Sequence, residues 1–396
     1  MNTFPTELIE QVIDNLSDDA FSIASCGLVC RQWTPRSRYH LFATPLDLQF
    51  SPLPGFSKGR TEPDIKALKA LARSPVQTFA PFVRALNVMG PIGDIYPTLM
   101  DLAPLANIAT LTVVCNGNGR SIAIPPELEH LLRAVPLAFP RVRALHLIGG
   151  EFTLAQLTAL ACGFPALDAL YLDPVRWAFE DSTHRAAPRA RPLPASVRTL
   201  DMGAGTGFYA VLPWIIAHGA PPALDTLCIE TTSISIKDFA GLRDVLRVLG
   251  PTLRHLELFF ITRDVDAWWS KRKAVYITQY LTLAHNPALR SVRCGVVPRY
   301  GAEICSALIA SVLPTLCAPA LHCIALLLDR AGRAVYAPHG DALLLVPWGD
   351  LDRLVAARPS VARLEVLHDL YPADEVLVTG ALPRCEARGI VFFRPE

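Results

Sequence analysis

The sequence lacks the marks of a secreted, disulfide-stapled protein. Its ten cysteines are scattered singly with no Cys-x-x-Cys pair, and 396 residues are enough to bury a large core without disulfides. We therefore expect small, mostly apolar cysteines in a reducing compartment. Residues 1–5 show neither the basic nor the apolar region of a secretory signal, which favours an intracellular protein, cytoplasmic or nuclear.

The sequence also has no excess of charge of either sign. The 37 basic and 36 acidic residues leave a net charge of +1, so no basic field points to nucleic acid or to an anionic membrane. Two long uncharged runs, residues 202–224 and 304–328, are interrupted by prolines such as Pro213 and Pro314. Because a membrane span favours a continuous helix, these runs are interpreted as buried elements. We expect neither nucleic acid nor a membrane among the partners.

Signatures of catalysis are almost absent. The sequence has no His-x-x-x-His pair, no Gly-x-Ser-x-Gly elbow and no Walker-type Gly-Lys-Ser/Thr. The expectation is a protein that is not an enzyme and that uses no metal and no cofactor.

What is present begins with a short helical segment. Pro5 suits a first helical turn, which predicts a helix from about Pro5 to Asn15. The segment Ser17-Asp18-Asp19 predicts its end and the cap of a second helix. A third helix is predicted to start near Cys30, with Trp33 inside it. Three short helices cannot enclose their apolar stripes and an indole, so apolar surface should remain for a partner. The alternative is that these side chains fill a core against the rest of the chain. The first stripe is Leu8, Ile9, Val12, Ile13 and Leu16.

This segment resembles the F-box. The string Phe4-Pro5-x-Glu7-Leu8 is followed by Leu28-Val29-Cys30-Arg31-x-Trp33 and then by Leu41-Phe42. The family usually begins Leu-Pro, and Phe4 takes the place of that leucine; the likeness is greatest to F-box proteins of mushroom-forming fungi. The resemblance implies a three-helix domain at residues 1–45 that docks onto a Skp-type adaptor, itself bound to a cullin scaffold. The docking positions it implies are Pro5, Leu8, Ile9, Ile13, Leu16, Val29, Cys30 and Trp33.

From Pro45 onward a Leu-x-Leu motif recurs every 25 to 40 residues, each copy typical of a short strand. Helix-like patterns lie between copies, for example after Thr153 and over residues 236–249, and inserts at 173–196 and 332–349 interrupt the series. This alternation predicts an α/β fold in which residues 46–396 form an irregular leucine-rich-repeat-like solenoid with a curved parallel sheet. A doubly wound α/β domain is the alternative. The copies begin at 46, 86, 111, 145, 170, 200, 227, 256, 292, 324 and 364.

In such a sheet the two leucines of each copy point inward and the residue between them points outward. The predicted outward row runs through Asn87, Thr112, His146, Tyr171, Asp201, Cys228, Glu257, Arg293, Ala325 and Glu365. A second row lies two residues further on. The aromatic and acidic side chains in the middle are predicted to bind a target, the alternative being an ordinary solvated face. They are Tyr171, Asp173, Glu230, Glu257 and Phe259.

One motif favours a different function. Asp201-Met202-Gly203-Ala204-Gly205-Thr206-Gly207 resembles the first motif of S-adenosylmethionine-dependent methyltransferases, with Glu230 at the distance of the family's ribose-binding acid. A glycine turn between a repeat strand and a helix explains the same residues. The preferred prediction is a substrate-recognition adaptor of an SCF-type cullin ubiquitin ligase that binds an unknown target protein; the methyltransferase is the alternative.

Overall fold

The computed structural model describes residues 5–50, 62–75, 78–115, 129–173, 175–177, 191–203, 208–216, 223–231, 236–260, 267–296, 298–328, 346–368 and 372–394. Most of the two predicted inserts therefore lies outside the described residues. The chain divides into two units, residues 1–170 (unit 1) and 171–396 (unit 2). The predicted boundary between residues 45 and 46 stays a prediction.

Unit 1 begins with three short helices, α1 (Thr6–Asp14), α2 (Ala20–Val29) and α3 (Thr34–Leu41). Asp19 caps α2, because its carboxylate accepts hydrogen bonds from the backbone N–H groups of Phe21 and Ser22 at 3.1 and 3.2 Å. The predicted start of the third helix near Cys30 is wrong. Cys30 is extended, with φ −160° and ψ 165°, and the Thr34 hydroxyl donates to its carbonyl at 3.1 Å, so α3 begins only at Thr34.

The rest of unit 1 alternates strands and helices. Its strands β1 to β4 pair in parallel and in sequence order, so that Leu48, Val88, Val113 and Leu147 are successive register partners. Thr153 caps the last helix with its side chain, as predicted. Gln156 completes a capping box, which the prediction did not include. The elements are β1 (Leu46–Gln49), α4 (Glu62–Arg73), β2 (Ala85–Gly90), α5 (Ile92–Asp101), β3 (Thr110–Cys115), α6 (Glu129–Ala138), β4 (Ala144–Gly149), β5 (Glu151–Phe152) and α7 (Leu154–Ala161).

Unit 2 continues the alternation from Tyr171, the third residue of β6 (Ala169–Asp173). A π-helical turn at Leu308–Val312 and a 3-10 turn at Leu313–Thr315 follow its fourth helix. The further elements are β7 (Arg176–Trp177), β8 (Thr199–Met202), α8 (Phe208–Ile216), β9 (Thr226–Thr231), α9 (Ile236–Leu249), β10 (His255–Phe260), α10 (Ala267–Tyr280), β11 (Ser291–Val296), α11 (Pro298–Ala307), β12 (Cys323–Leu328), α12 (Trp348–Ala356), β13 (Arg363–His368), α13 (Pro372–Gly380), α14 (Pro383–Ala387) and β14 (Val391–Arg394).

The strand order of unit 2 is that of stacked strand–helix repeats. Its described strands lie in the order β6, β8, β9, β10, β11, β12, β13, β14, without the reversal that marks a doubly wound sheet. Parallel crossovers are right-handed, so strands added always on the same side place their connecting helices on one face of the sheet. Contacts between α8 and α9, α9 and α10, and α10 and α11 agree with this arrangement. The fold is α/β with parallel pairing, as predicted.

The core lies between these strands and helices. Inward side chains such as Leu200, Leu227, Leu256 and Val292 are buried. Every predicted Leu-x-Leu copy falls inside a strand, while β14 was missed because Val391-Phe392-Phe393 lacks the leucine pattern. Within the described ranges, no helix combines the length and the hydrophobicity that crossing a membrane requires.

Candidate partner-binding surfaces

One carboxylate joins the first and third of the N-terminal helices. Asp14, the last residue of α1, accepts hydrogen bonds from Arg36 at 2.5 and 2.6 Å and lies 2.7 Å from His40 Nε2, both on α3. These bonds, first that of Arg36 and then that of His40, lower the pKa of Asp14 from 3.8 to about 2. The carboxylate is therefore ionised at neutral pH and holds α1 against α3.

Burial divides the predicted docking positions into two sets. Ile9 and Ile13 are buried, together with Ile23 of α2 and Ser37 of α3. The helices α2 and α3 pack closely where Gly27 meets Ser37. A Cβ on this glycine would lie only 3.4 Å from the serine Cβ. Ile9 and Ile13 thus face the interior in this conformation and present almost no apolar area to a partner.

The remaining docking positions are accessible. Pro5, Leu8, Val29 and Cys30 are exposed, and Leu16 and Trp33 are half-buried. The structure also exposes apolar residues that the docking prediction does not contain: Val12, Phe21 (82 % exposed) and Leu28 (88 % exposed). Phe21 and Leu28 are two helical turns apart, and this spacing in the sequence could have predicted that they share one face of α2. We call the exposed set Leu8, Val12, Phe21, Leu28 and Val29 the helical surface.

A second surface lies on the outward side of the unit 2 sheet. Register pairs Asp201 with Cys228, Cys228 with Glu257 and Glu257 with Arg293, so these predicted outward residues form one row across β8 to β11. Glu230 and Phe259 are register partners in the second row. We call this side of β6 and β8–β11, which carries all five predicted target-binding residues, the open face.

The glycine after β8 has a packing role on this face. Gly203 donates its N–H to the Leu172 carbonyl at 2.7 Å, and a Cβ at Gly203 would overlap the carboxyl group of Asp173. A side chain is therefore excluded because the neighbouring strand places Asp173 there. This accounts for the first glycine of the methyltransferase-like motif without a ligand; residues 204–207 lie outside the described ranges.

Negative charge dominates one half of the open face. Burial first, and then the carboxylates of Glu257, Glu230 and Asp173, together raise the pKa of Asp201 from 3.8 to about 6. Burial also raises the pKa of Asp173. Arg293 forms an ion pair with Glu257 at 3.0 Å, which leaves Asp201 surrounded by like charge.

Phe259 packs against apolar residues at the edge of the open face, next to β12. The Phe259 ring lies over Gly295, where a Cβ would overlap it, and packs against the buried residues Ala325 and Leu327. Phe259 is therefore only partly available to a target. Tyr171, Glu230 and Glu257 are half-buried and Asp173 is exposed. No group of three or more potential metal ligands occurs among the described residues.

Known proteins add little to this description. The chain matches no protein-family model and no curated protein. Among solved structures, it is similar to the crystal structure of a Bacteroides fragilis protein with a TM-score of 0.37 and 13% identity, over 63% of this chain and 71% of that chain. A likeness of this size assigns no function.

Proposed function

We propose that this chain is a substrate-recognition adaptor of an SCF-type cullin ubiquitin ligase. In this proposal α1–α3 act as the F-box that docks onto a Skp-type adaptor, and the open face holds a target protein. The chain itself catalyses no reaction and brings the target close to the ubiquitin-loaded enzyme. Such a role is carried out in the cytoplasm or the nucleus. The F-box resemblance of residues 4–42 motivates the proposal.

The observation that carries it is the helical surface. Large apolar side chains left exposed on short helices often serve a binding partner, and Phe21 and Leu28 are among the most exposed apolar residues in the part of the chain that the structure describes. Burying one such side chain in a partner contributes about 1.5–3 kcal/mol. Because Asp14 holds α1 against α3, little additional ordering of these two helices is needed on binding.

The test is co-purification of the full-length chain with a co-expressed Skp-type adaptor. Phe21→Ala combined with Leu28→Ala removes two exposed anchors without creating a cavity, so folding should be unchanged and the affinity should fall by at least about tenfold. A matched control is Leu137→Ala, which truncates a leucine on α6 that is 81 % exposed in the same unit. Binding that survives the double substitution, or is lost equally in the control, contradicts the assigned docking surface.

Target capture needs a separate experiment. Proteins recovered with the full-length chain and with a chain that carries Tyr171→Ala and Glu257→Ala are compared by mass spectrometry, with the adaptor as an internal standard. A target of the open face should be depleted from the variant while the adaptor is retained. Equal recovery of every protein rules out the open face as the recognition surface.

A further inference from the structure

The open face gathers four carboxyl groups on neighbouring strands, which we call the carboxylate cluster: Asp173 on β6, Asp201 on β8, Glu230 on β9 and Glu257 on β10. Asp201 is at the centre. Its strand pairs with β9 through Cys228, and β9 pairs with β10 through Glu257. Asp173 stands over Gly203, two residues after Asp201 on the same face. The cluster is a consequence of strand register, since these positions are far apart in the sequence.

Asp201 differs from the other members in its surroundings. Among the described residues its carboxyl group forms no hydrogen bond and no ion pair, and the charged groups that shift its pKa are all carboxylates. Arg293 of β11, a cation described on this face, is engaged by Glu257 at 3.0 Å. The groups that face Asp201 from the neighbouring strands are Tyr171 and Asp173 of β6, Cys228 and Glu230 of β9, Glu257 of β10 and, beyond it, Arg293 of β11.

A half-buried carboxylate without a cation is costly when ionised. Partial burial weakens its hydration, and each neighbouring negative charge adds repulsion that water screens incompletely. A proton removes both effects. This explains why the pKa of Asp201 rises to about 6, within reach of ordinary changes in pH.

We propose that the open face is a proton-dependent surface: one proton taken up by the carboxylate cluster, centred on Asp201, makes unit 2 more stable and its face less negative in mildly acidic solution. The inference goes beyond the proposed ligase role and does not depend on it. The direction follows from linkage. Because the folded state binds this proton more tightly than the unfolded chain, the stabilisation is complete below pH about 4 and is lost as the pH rises through about 6.

The experiment measures urea unfolding of the full-length chain between pH about 5 and pH about 7.5. Tryptophan fluorescence reports mainly on unit 2, since five of the six tryptophans lie in residues 171–396. In the natural chain the unfolding midpoint should fall as the pH rises, with about a tenfold change in the folded-to-unfolded ratio from this group over that range. Asp201→Asn should flatten this dependence and unfold at higher urea than the natural chain at pH about 7.5.

Two further variants test whether the pH dependence comes from Asp201 and its charged neighbours. Asp225→Asn alters an aspartate of the same unit that lies 3.9 Å from Arg254, and should keep the natural pH dependence. Glu257→Gln removes a neighbouring charge and frees Arg293, so the transition should move to lower pH, and it serves even if Asp201→Asn does not fold. The proposal is overturned if Asp201→Asn keeps the full pH dependence, or if Glu257→Gln leaves the transition in place.

Discussion

Asp352 shows how a single buried carboxylate joins the last helices of unit 2. It lies on α12, and its Oδ1 atom accepts hydrogen bonds from the backbone N–H groups of Arg384 and Cys385 at 3.1 and 2.9 Å. Both donors are in the first turn of α14, where backbone N–H groups have no partner inside the helix. Asp352 therefore caps α14 from another helix, and Cys385 beside it is fully buried.

The energy of this contact can be worked out from its parts. Asp352→Ala removes two hydrogen bonds to a charged acceptor and leaves the Cys385 N–H buried without its partner. Hydrogen bonds to charged groups contribute about 1.5–3 kcal/mol, and an unsatisfied buried donor costs about 1–3 kcal/mol. Allowing for partial access of water to Arg384, we expect the free energy of unfolding to fall by about 3 kcal/mol. Asp352→Asn keeps an acceptor oxygen and should cost about 1 kcal/mol.

Urea unfolding followed by tryptophan fluorescence measures this change, since the buried Trp348 begins α12. The matched control is Asp350→Ala in the same helix. The Asp350 side chain is 45% exposed, against 5% for Asp352, and is paired only with Arg353 among the residues described. The control should change the stability by less than about 0.5 kcal/mol. If Asp352→Ala costs no more than the control, Asp352 does not cap α14 as described.

Two other predictions concern the surfaces. Since the pKa of Asp14 lies at about 2 in the folded chain and 3.8 is its ordinary value, its stabilisation is full above pH about 4 and lost as the pH falls through about 2. Asp14→Asn should accordingly speed amide hydrogen exchange in α1 and α3 at neutral pH, and unchanged exchange would contradict the tie between them. Gly295→Ala should displace the Phe259 ring and lower unfolding stability by about 1–3 kcal/mol. Gly349→Ala, where a Cβ meets nothing, is its control, and equal effects of the two would refute the close packing.

Much of the fold follows from local pattern. A strand buried on one side needs apolar residues at alternate positions, so each Leu-x-Leu copy was sufficient to locate a strand. Helix caps such as Asp19 and Thr153 act within one turn, so they too could be predicted from neighbours in the sequence. The extended conformation of Cys30 was not predicted, and β14 was missed because Val391-Phe392-Phe393 lacks the leucine pattern.

The candidate surfaces were predictable only in outline. The alternation of side chains along a strand predicted that Asp201, Glu230 and Glu257 point outward. The helical spacing of apolar residues predicted the apolar stripe of α1. Spacing could not show that Ile9 and Ile13 turn inward while Phe21 and Leu28 stay exposed, because that division depends on how three helices pack together.

The sequence by itself determined the repeating strand–helix alternation and the F-box-like segment at its start, since both are written in residues close together along the chain. Tertiary structure alone decided which carboxylates meet. Asp173 and Glu257 are 84 residues apart in the numbering, yet register brings both near Asp201. Burial, together with these like charges, then raises the pKa of Asp201. Electrostatic interaction depends on distance in space, and only the folded sheet sets that distance.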